Sequence, residues 1–420
     1  MKKRNRLKAN NRRSRKHQRQ RGRYRWKPDH FPEDKINLMV DESKNTESGV
    51  IIPPQDRLIE PNHFDTVVED KEVSLATENL VSESPQIATE LKNEVTTSSE
   101  SSGVTSDVRE TPSNCTEKMI ISDNIETETD SYTFKGYECV YDVYNGESTQ
   151  TPLLLIHPIG VGLSRQFWER FCTQWYGIGQ TNPIYNPDLL GCGESDAPHV
   201  AYYAEDWAAQ LEKLVTTVIK KPVIIVVQGA LFPVAVELIK IASDSVKAIV
   251  ASGPPAWELI TTKAATSQQK ILWNLLFDTA WGSAFYRYAR RRQFLESFSV
   301  RQLFATEAAV DEEWLETLEL GAADLKTRHA VFSFLAGFWR KDYGDAIAQI
   351  QQPALMLFGE GASSISRQGA SETPQERLNA YIEHLPQGEG KLIPGRNVMP
   401  YEAPAAFVAE TAEFVRKLTV

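Results

Sequence analysis

Residues 226–234 read Val-Val-Gln-Gly-Ala-Leu-Phe-Pro-Val. They follow the β-branched run "PVIIV" and lead into the helical apolar pattern "VAVELIKIA". A buried strand running through a tight turn into a helix is the setting of the nucleophile elbow, G-x-S-x-G. Here the five positions are Gln228-Gly229-Ala230-Leu231-Phe232, so a methyl group stands where the hydroxyl would be. No G-x-S-x-G occurs elsewhere in the chain. Two side chains could stand in. Cys192 carries an intrinsically nucleophilic thiol, but no nearby histidine is evident to lower its pKa, so it reads first as a small residue filling a turn. His157 closes the apolar run "LLLIHP" and is the obvious base candidate. Its first reading is a satisfied structural histidine. His199, His329 and His384 read as loop or cap residues without a partner, and Ser195, Ser363 and Ser364 as turn residues bonding local backbone.

The elements that must position these residues occupy only part of the 420-residue chain. About half of residues 1–27 are Lys or Arg, and no acid precedes Asp29. Blocks of like charge are normally disordered interaction tails, and this one would hold nucleic acid or an anionic surface weakly through its phosphates. Residues 28–131 are acidic, Ser/Thr/Glu-rich and too poor in apolar side chains to repay ordering entropy, so they read as a linker. The net charge of −10 averages these regions. Four cysteines without C-x-x-C point to reduced thiols. No apolar run is long enough for a membrane span, and the basic start lacks an h-region, so a cytoplasmic location is expected. No metal cluster and no cofactor motif is read. "IHPIGVGLSR" starts like a dinucleotide fingerprint, but its third glycine position is Arg165.

From Tyr132 onward, apolar strands alternate with helical periodicity, which predicts a doubly wound, mostly parallel α/β sheet over 132–420. "YECVYDVYN" reads as its edge strand. Strands then give way to a helical, aromatic-rich cap over about 255–344.

Four landmarks in this order resemble the α/β-hydrolase fold superfamily, in its branch with a helical cap. "LLLIHPIGVG" resembles the strand and HG loop, and "NPDLLGCGESD" the D-x-x-G-x-G-x-S loop. "VIIVVQGALFPVAVEL" resembles the elbow, and "IPGRNVMPYEAPAAFV" the G-H-x-P-x-x-E-x-P segment. The resemblance implies a Ser-His-Asp triad, and each position departs from it. The nucleophile position is Ala230, the acid position Ala362 in "GEGA", and the base position Asn397 (or Val398 with a one-residue gap). Glu360 and Glu258 could orient a base if one were present. What the resemblance leaves intact is a cradle of backbone N–H groups at Leu231 and at Ile159 or Gly160, with Gln228 beside it. A small ligand could sit there under the cap. The cap aromatics Trp257, Trp273, Trp281, Phe285, Tyr286, Tyr288 and Trp339 read first as lid packing and second as the pocket's lining. Arg290, Arg291 and Arg292 read as a solvated face.

Two functions stand. One is a non-catalytic protein with a degenerate triad that binds a small ligand or a partner. The alternative is an active hydrolase of ester, amide or epoxide bonds, built around His157 and Cys192. If the elbow has merely lost its chemistry, its geometry should still suit a serine.

Overall fold

The computed structural model describes residues 127–147, 149–366 and 371–418. The arm and most of the linker read from the sequence, residues 1–126, lie outside the described residues. The chain enters on a hairpin, β1 (Thr127–Phe134) and β2 (Tyr137–Tyr144). Lys135 and Gly136 form its turn with φ of 48° and 82°, the left-handed pair that matches strand twist. β3 (Leu153–Ile156), α1 (Glu169–Gly177), β4 (Ile184–Pro187) and α2 (Ala204–Leu214) follow. Then come β5 (Val223–Gln228), α3 (Phe232–Ala242) and β6 (Val246–Ser252).

The cap is an excursion between β6 and the next strand. Its helices are α4 (Trp257–Thr261), α5 (Thr266–Ile271), α6 (Ala280–Ala289), α7 (Arg292–Phe298), α8 (Glu312–Gly321), α9 (Arg328–Leu335) and α10 (Gly344–Ala348). The chain returns through β7 (Ala354–Gly359), α11 (Pro374–His384), β8 (Gly388–Ile393), α12 (Met399–Glu402) and α13 (Pro404–Lys417).

The eight strands form one sheet in the order β1-β2-β4-β3-β5-β6-β7-β8. The pairs β1–β2 and β2–β4 are antiparallel and the others parallel. All six residues of β5 are buried, and so are all six of β7. Their side chains alternate between two cores. Ile225, Val227, Met356 and Phe358 pack with Trp207, Val234 and Tyr381 from α2, α3 and α11. Ile224, Val226, Leu355 and Leu357 pack with Trp168, Trp175, Phe407 and Val408 from the α1 and α13 side. Each large apolar side chain buried this way contributes about 1.5–3 kcal/mol.

Two elements correct the sequence reading. β1 starts at Thr127, ahead of the boundary at Tyr132, and lies outside β2, so "YECVYDVYN" is second from the edge. Its first five residues are all exposed, which left no alternation to read. The helix α11 was not anticipated either.

Candidate functional site

The strand β5 delivers Gln228 to the carboxyl edge of the sheet, where Gly229 takes φ of 62°. Residues Gly229–Leu231 then make a single 3-10 turn into α3. Among the described residues the only non-glycines with positive φ are Lys135 and Lys220, so Ala230 is unstrained. In a working elbow the nucleophile itself sits on the strained turn. Here the left-handed φ falls on Gly229, one position early, where glycine accepts it without steric clash.

The acid and base positions come together at the next strand ends. Glu360 N donates to Ile393 O (2.8 Å) and Gly361 N to Gly395 O (3.0 Å), closing the loop after β7 against the turn after β8. A Cβ on Gly359 would come within 2.2 Å of Arg396 O, so this approach requires glycine. Ala362 is buried there. Asn397 lies at the centre of the junction. Its Nδ2 donates to Gln302 O of the cap (2.7 Å) and to Ser363 O (3.1 Å), and its Oδ1 accepts from Ser363 N (3.3 Å). Its backbone carbonyl accepts from Gln228 Nε2 (2.7 Å), and its N–H donates to Leu303 O (3.0 Å). The structure therefore brings together the segments of Ala230, Ala362 and Asn397. Every polar atom of Asn397 is engaged.

Two polar atoms at this edge are not engaged. Gln228 Oε1 and Ser252 Oγ are buried without a hydrogen-bond partner. Gln228 and Ser252 are register partners on β5 and β6, so the two side chains leave the same face of the sheet side by side. Buried polar groups are nearly always satisfied, and an exception at the carboxyl edge of a parallel sheet marks a place for a ligand or water. Sequence reasoning had named Gln228 and missed Ser252, whose position inside "IVASG" resembles plain strand.

The loop meant to supply the second N–H is held from above. Gly162 has φ of 79°, and a Cβ there would lie 2.0 Å from Leu318 O of α8. A Cβ on Gly321 would meet Gly162 O at 2.1 Å, so loop and helix touch backbone to backbone. Ile159 and Gly160 precede this contact and are partly exposed. Leu231 is buried.

His157 is fully buried just past β3. Leu189 N donates to its Nε2 (3.1 Å), which leaves Nδ1–H to donate to Pro158 O (2.7 Å). Both nitrogens are thus spent on backbone. Burial lowers its pKa, with nearby Asp188 opposing, so the ring is neutral. Cys192 is also buried, and its thiol pKa is pushed far up by burial and then by Asp188. The loop around it is a closed turn. Gly191 and Gly193 take φ of 87° and 54°, and a Cβ on Gly193 would overlap the Asp188 carboxylate. Ser195 Oγ donates to Asp188 O and accepts from Val140 N, both at 2.9 Å. Arg165, read from the sequence only as a failed glycine, pairs with Asp188, with Asp142 (2.7 Å) and with Glu194 (2.5 Å).

Of the other described histidines, His199 and His384 have hydrogen-bond partners, contrary to expectation, while His329 has none. His199 bonds Asp278 (2.5 Å) and stacks on His329 with centroids 4.1 Å apart. His384 donates from Nδ1 to Ala380 O (2.7 Å) and stacks on Trp257. Of the cap aromatics, Trp273, Tyr286 and Trp339 are buried, while Trp281 is 62 % exposed. Glu258 is on α4 and no ring nitrogen is bonded to it or to Glu360 among the described residues. Arg290 donates to Ala322 O and Ala323 O, and Arg292 pairs with Glu319 and Glu312.

Residues 153–411 match the profile of the Alpha/beta hydrolase family, and this chain belongs to that family. No curated protein matches it in sequence. Its fold is similar to a thermophilic esterase from Thermogutta terrifontis, with TM-score 0.54 and 17% identity over 70% of this chain and 100% of that one. A bromoperoxidase from Bacillus anthracis aligns with TM-score 0.53 and 17% identity over 69% of this chain and 100% of that one. A haloalkane dehalogenase loop variant from Bradyrhizobium elkanii gives TM-score 0.53 and 16% identity over 70% and 98%. Identities this low carry the fold alone.

Proposed function

We propose that this chain is a non-catalytic member of its family that binds a small ligand between the cap and the carboxyl edge of the sheet. The observation that carries this reading is the pairing of chemical loss with polar vacancy. Ala230 has no lone pair to attack with, and Asn397 has neither the basicity nor a free atom to take a proton. Beside them, Gln228 Oε1 and Ser252 Oγ remain buried and unsatisfied. The ligand class that fits carries a carbonyl or carboxylate oxygen for the amides near Leu231 and Gly160. It also carries a hydroxyl, amide or ammonium donor for Gln228 Oε1.

The alternative, hydrolysis by His157 and Cys192, has two observations against it. His157 keeps no lone pair for a nucleophile's proton, and Cys192 is held as a buried thiol. Native mass spectrometry of the gently purified full chain tests the proposal. A co-purifying small molecule that is lost in Gln228→Leu supports it. Ester turnover at enzymic rates by the wild type would overturn it.

A further inference from the structure

A second group of ligating side chains meets away from the sheet edge, where the cap rests on the loop between β4 and α2. We propose that His199, Asp278 and His329 bind one divalent transition-metal ion of the zinc class, clamping the cap to that loop. His199 comes from the core loop. Asp278 follows the π-helical turn Leu272–Phe277, and His329 opens α9 in the cap. The three are far apart in sequence, yet their ligand atoms all lie within 4.8 Å of one another.

The buried member carries the argument. His329 is only 3 % exposed, and neither Nδ1 nor Nε2 has a hydrogen-bond partner. The Lys326 carbonyl exerts a minor pull on it without reaching bonding geometry. An imidazole that serves only as packing usually satisfies at least one nitrogen. Here neither has a protein partner, and the ring stacks on His199 at an interplanar angle of 15°.

The donor set selects the ion. Two imidazoles and one carboxylate suit zinc and its neighbours, whereas magnesium and calcium take oxygen cages. A tetrahedral ion with bonds of 2.0–2.1 Å holds its donors about 3.3 Å apart. His199 Nε2 and Asp278 Oδ1 are already in contact at 2.5 Å, and the ion would displace the proton they share. His329 reaches the same point by rotating its ring, which no hydrogen bond opposes. Arg328 works against a cation here, but its guanidinium is turned to Leu325 O (2.6 Å) and Asp278 supplies the compensating charge. The His199 side chain is 43% exposed, which provides the entry path and leaves a fourth position for water.

The test uses the full chain, stripped with chelator, then titrated with Zn²⁺ and separately with Co²⁺. The expected result is one ion by native mass and a visible Co²⁺ band of tetrahedral type. Melting temperature should rise on the order of 5 °C once zinc exceeds its Kd about a hundredfold. His199→Ala, Asp278→Asn and His329→Phe should each lose that rise; the first removes a half-exposed ring, and the last keeps the packing. The other histidines, including His17, His30 and His63, are common to all four proteins and cancel in the comparison. Wild type without a zinc response, or variants that keep it, would overturn the site. A response lost in His199→Ala and Asp278→Asn but kept in His329→Phe would overturn the three-ligand assignment and leave His329 as packing.

Discussion

Gln228 Nε2 donates to the backbone carbonyl of Asn397 at 2.7 Å, joining positions 169 residues apart. This bond ties the turn that would hold a nucleophile to the turn that would hold its base. The same amide leaves its oxygen buried without a hydrogen-bond partner.

Restoring the triad side chains should not restore catalysis. The sequence suggested an elbow whose geometry still suits a serine, but Ala230 is unstrained and Gly229 carries the left-handed φ. The combined variant Ala230→Ser, Ala362→Asp, Asn397→His should leave p-nitrophenyl butyrate hydrolysis at background. A hydroxyl displaced by about 1 Å already loses on the order of 10²-fold, and triad members act only as a unit. A gain of about 10²-fold over wild type would show the elbow to be intact.

Stability should fall on the acid side of neutrality. Burial holds His157 and His329 below the ordinary histidine pKa, so the folded state refuses protons that the unfolded chain accepts. Their contribution is fully present above the unfolded value of about 6.5 and is lost as pH drops below it. For His329 the loss continues down towards about 2. Two such groups give a slope of up to about 2.7 kcal/mol per pH unit. Urea unfolding in chelator at pH 7.5 and 5.5 measures it, and His329→Phe should remove about half. Equal stability at the two pH values would mean that neither ring is kept neutral.

The buried thiols should be inert. Burial pushes Cys139 up to about 12 and Cys172 and Cys192 further, so no thiolate is present at ordinary pH. In a Cys115→Ser variant, iodoacetamide at pH 8 should label protein only at the rate of unfolding. Fast modification of Cys192 in the folded state would revive the unconventional hydrolase.

Arg165 should be a stability residue of the first rank. Its side chain is 7% exposed and the Asp188 carboxylate fully buried, so Arg165→Met leaves that charge unpaired. The expected cost is about 3–5 kcal/mol in urea unfolding. Arg165→Lys should rescue little, because one ammonium cannot span three carboxylates as a planar guanidinium does. A change under about 1 kcal/mol would show the network to be dispensable.

How much of this could be read in advance depended on the range over which each signal acts. The Asp188–Ser195 loop was readable because its glycines answer to local backbone φ and its serine to a carbonyl in the same turn. The helix α3 was readable from Phe232 to Ala242, since its apolar pattern and the proline in its first turn are both local. For α11 a signal existed and was passed over: Thr373 and Glu376 form a capping box around Pro374. β1 offered none, because an edge strand exposed to water needs no apolar alternation. Asn397 could be read as a poor base, but not as a junction, because Gln302 and Gln228 reach it from distant segments. His199, Asp278 and His329 were invisible together for the same reason, their meeting being a product of the cap's path.

The backbone contact of Gly162 with Gly321 has a mechanical consequence. With no side chain between them to yield, the loop bearing Ile159 and Gly160 and the helix α8 move as a single lever. The far end of that lever is Asp311, the N-cap of α8, which is fastened to Arg170 (2.6 Å) and to the hydroxyl of Tyr401 (2.9 Å). On the proposed binding mode, an oxygen held by the loop's amides would therefore load an ion pair at the protein's surface, where another molecule could read it.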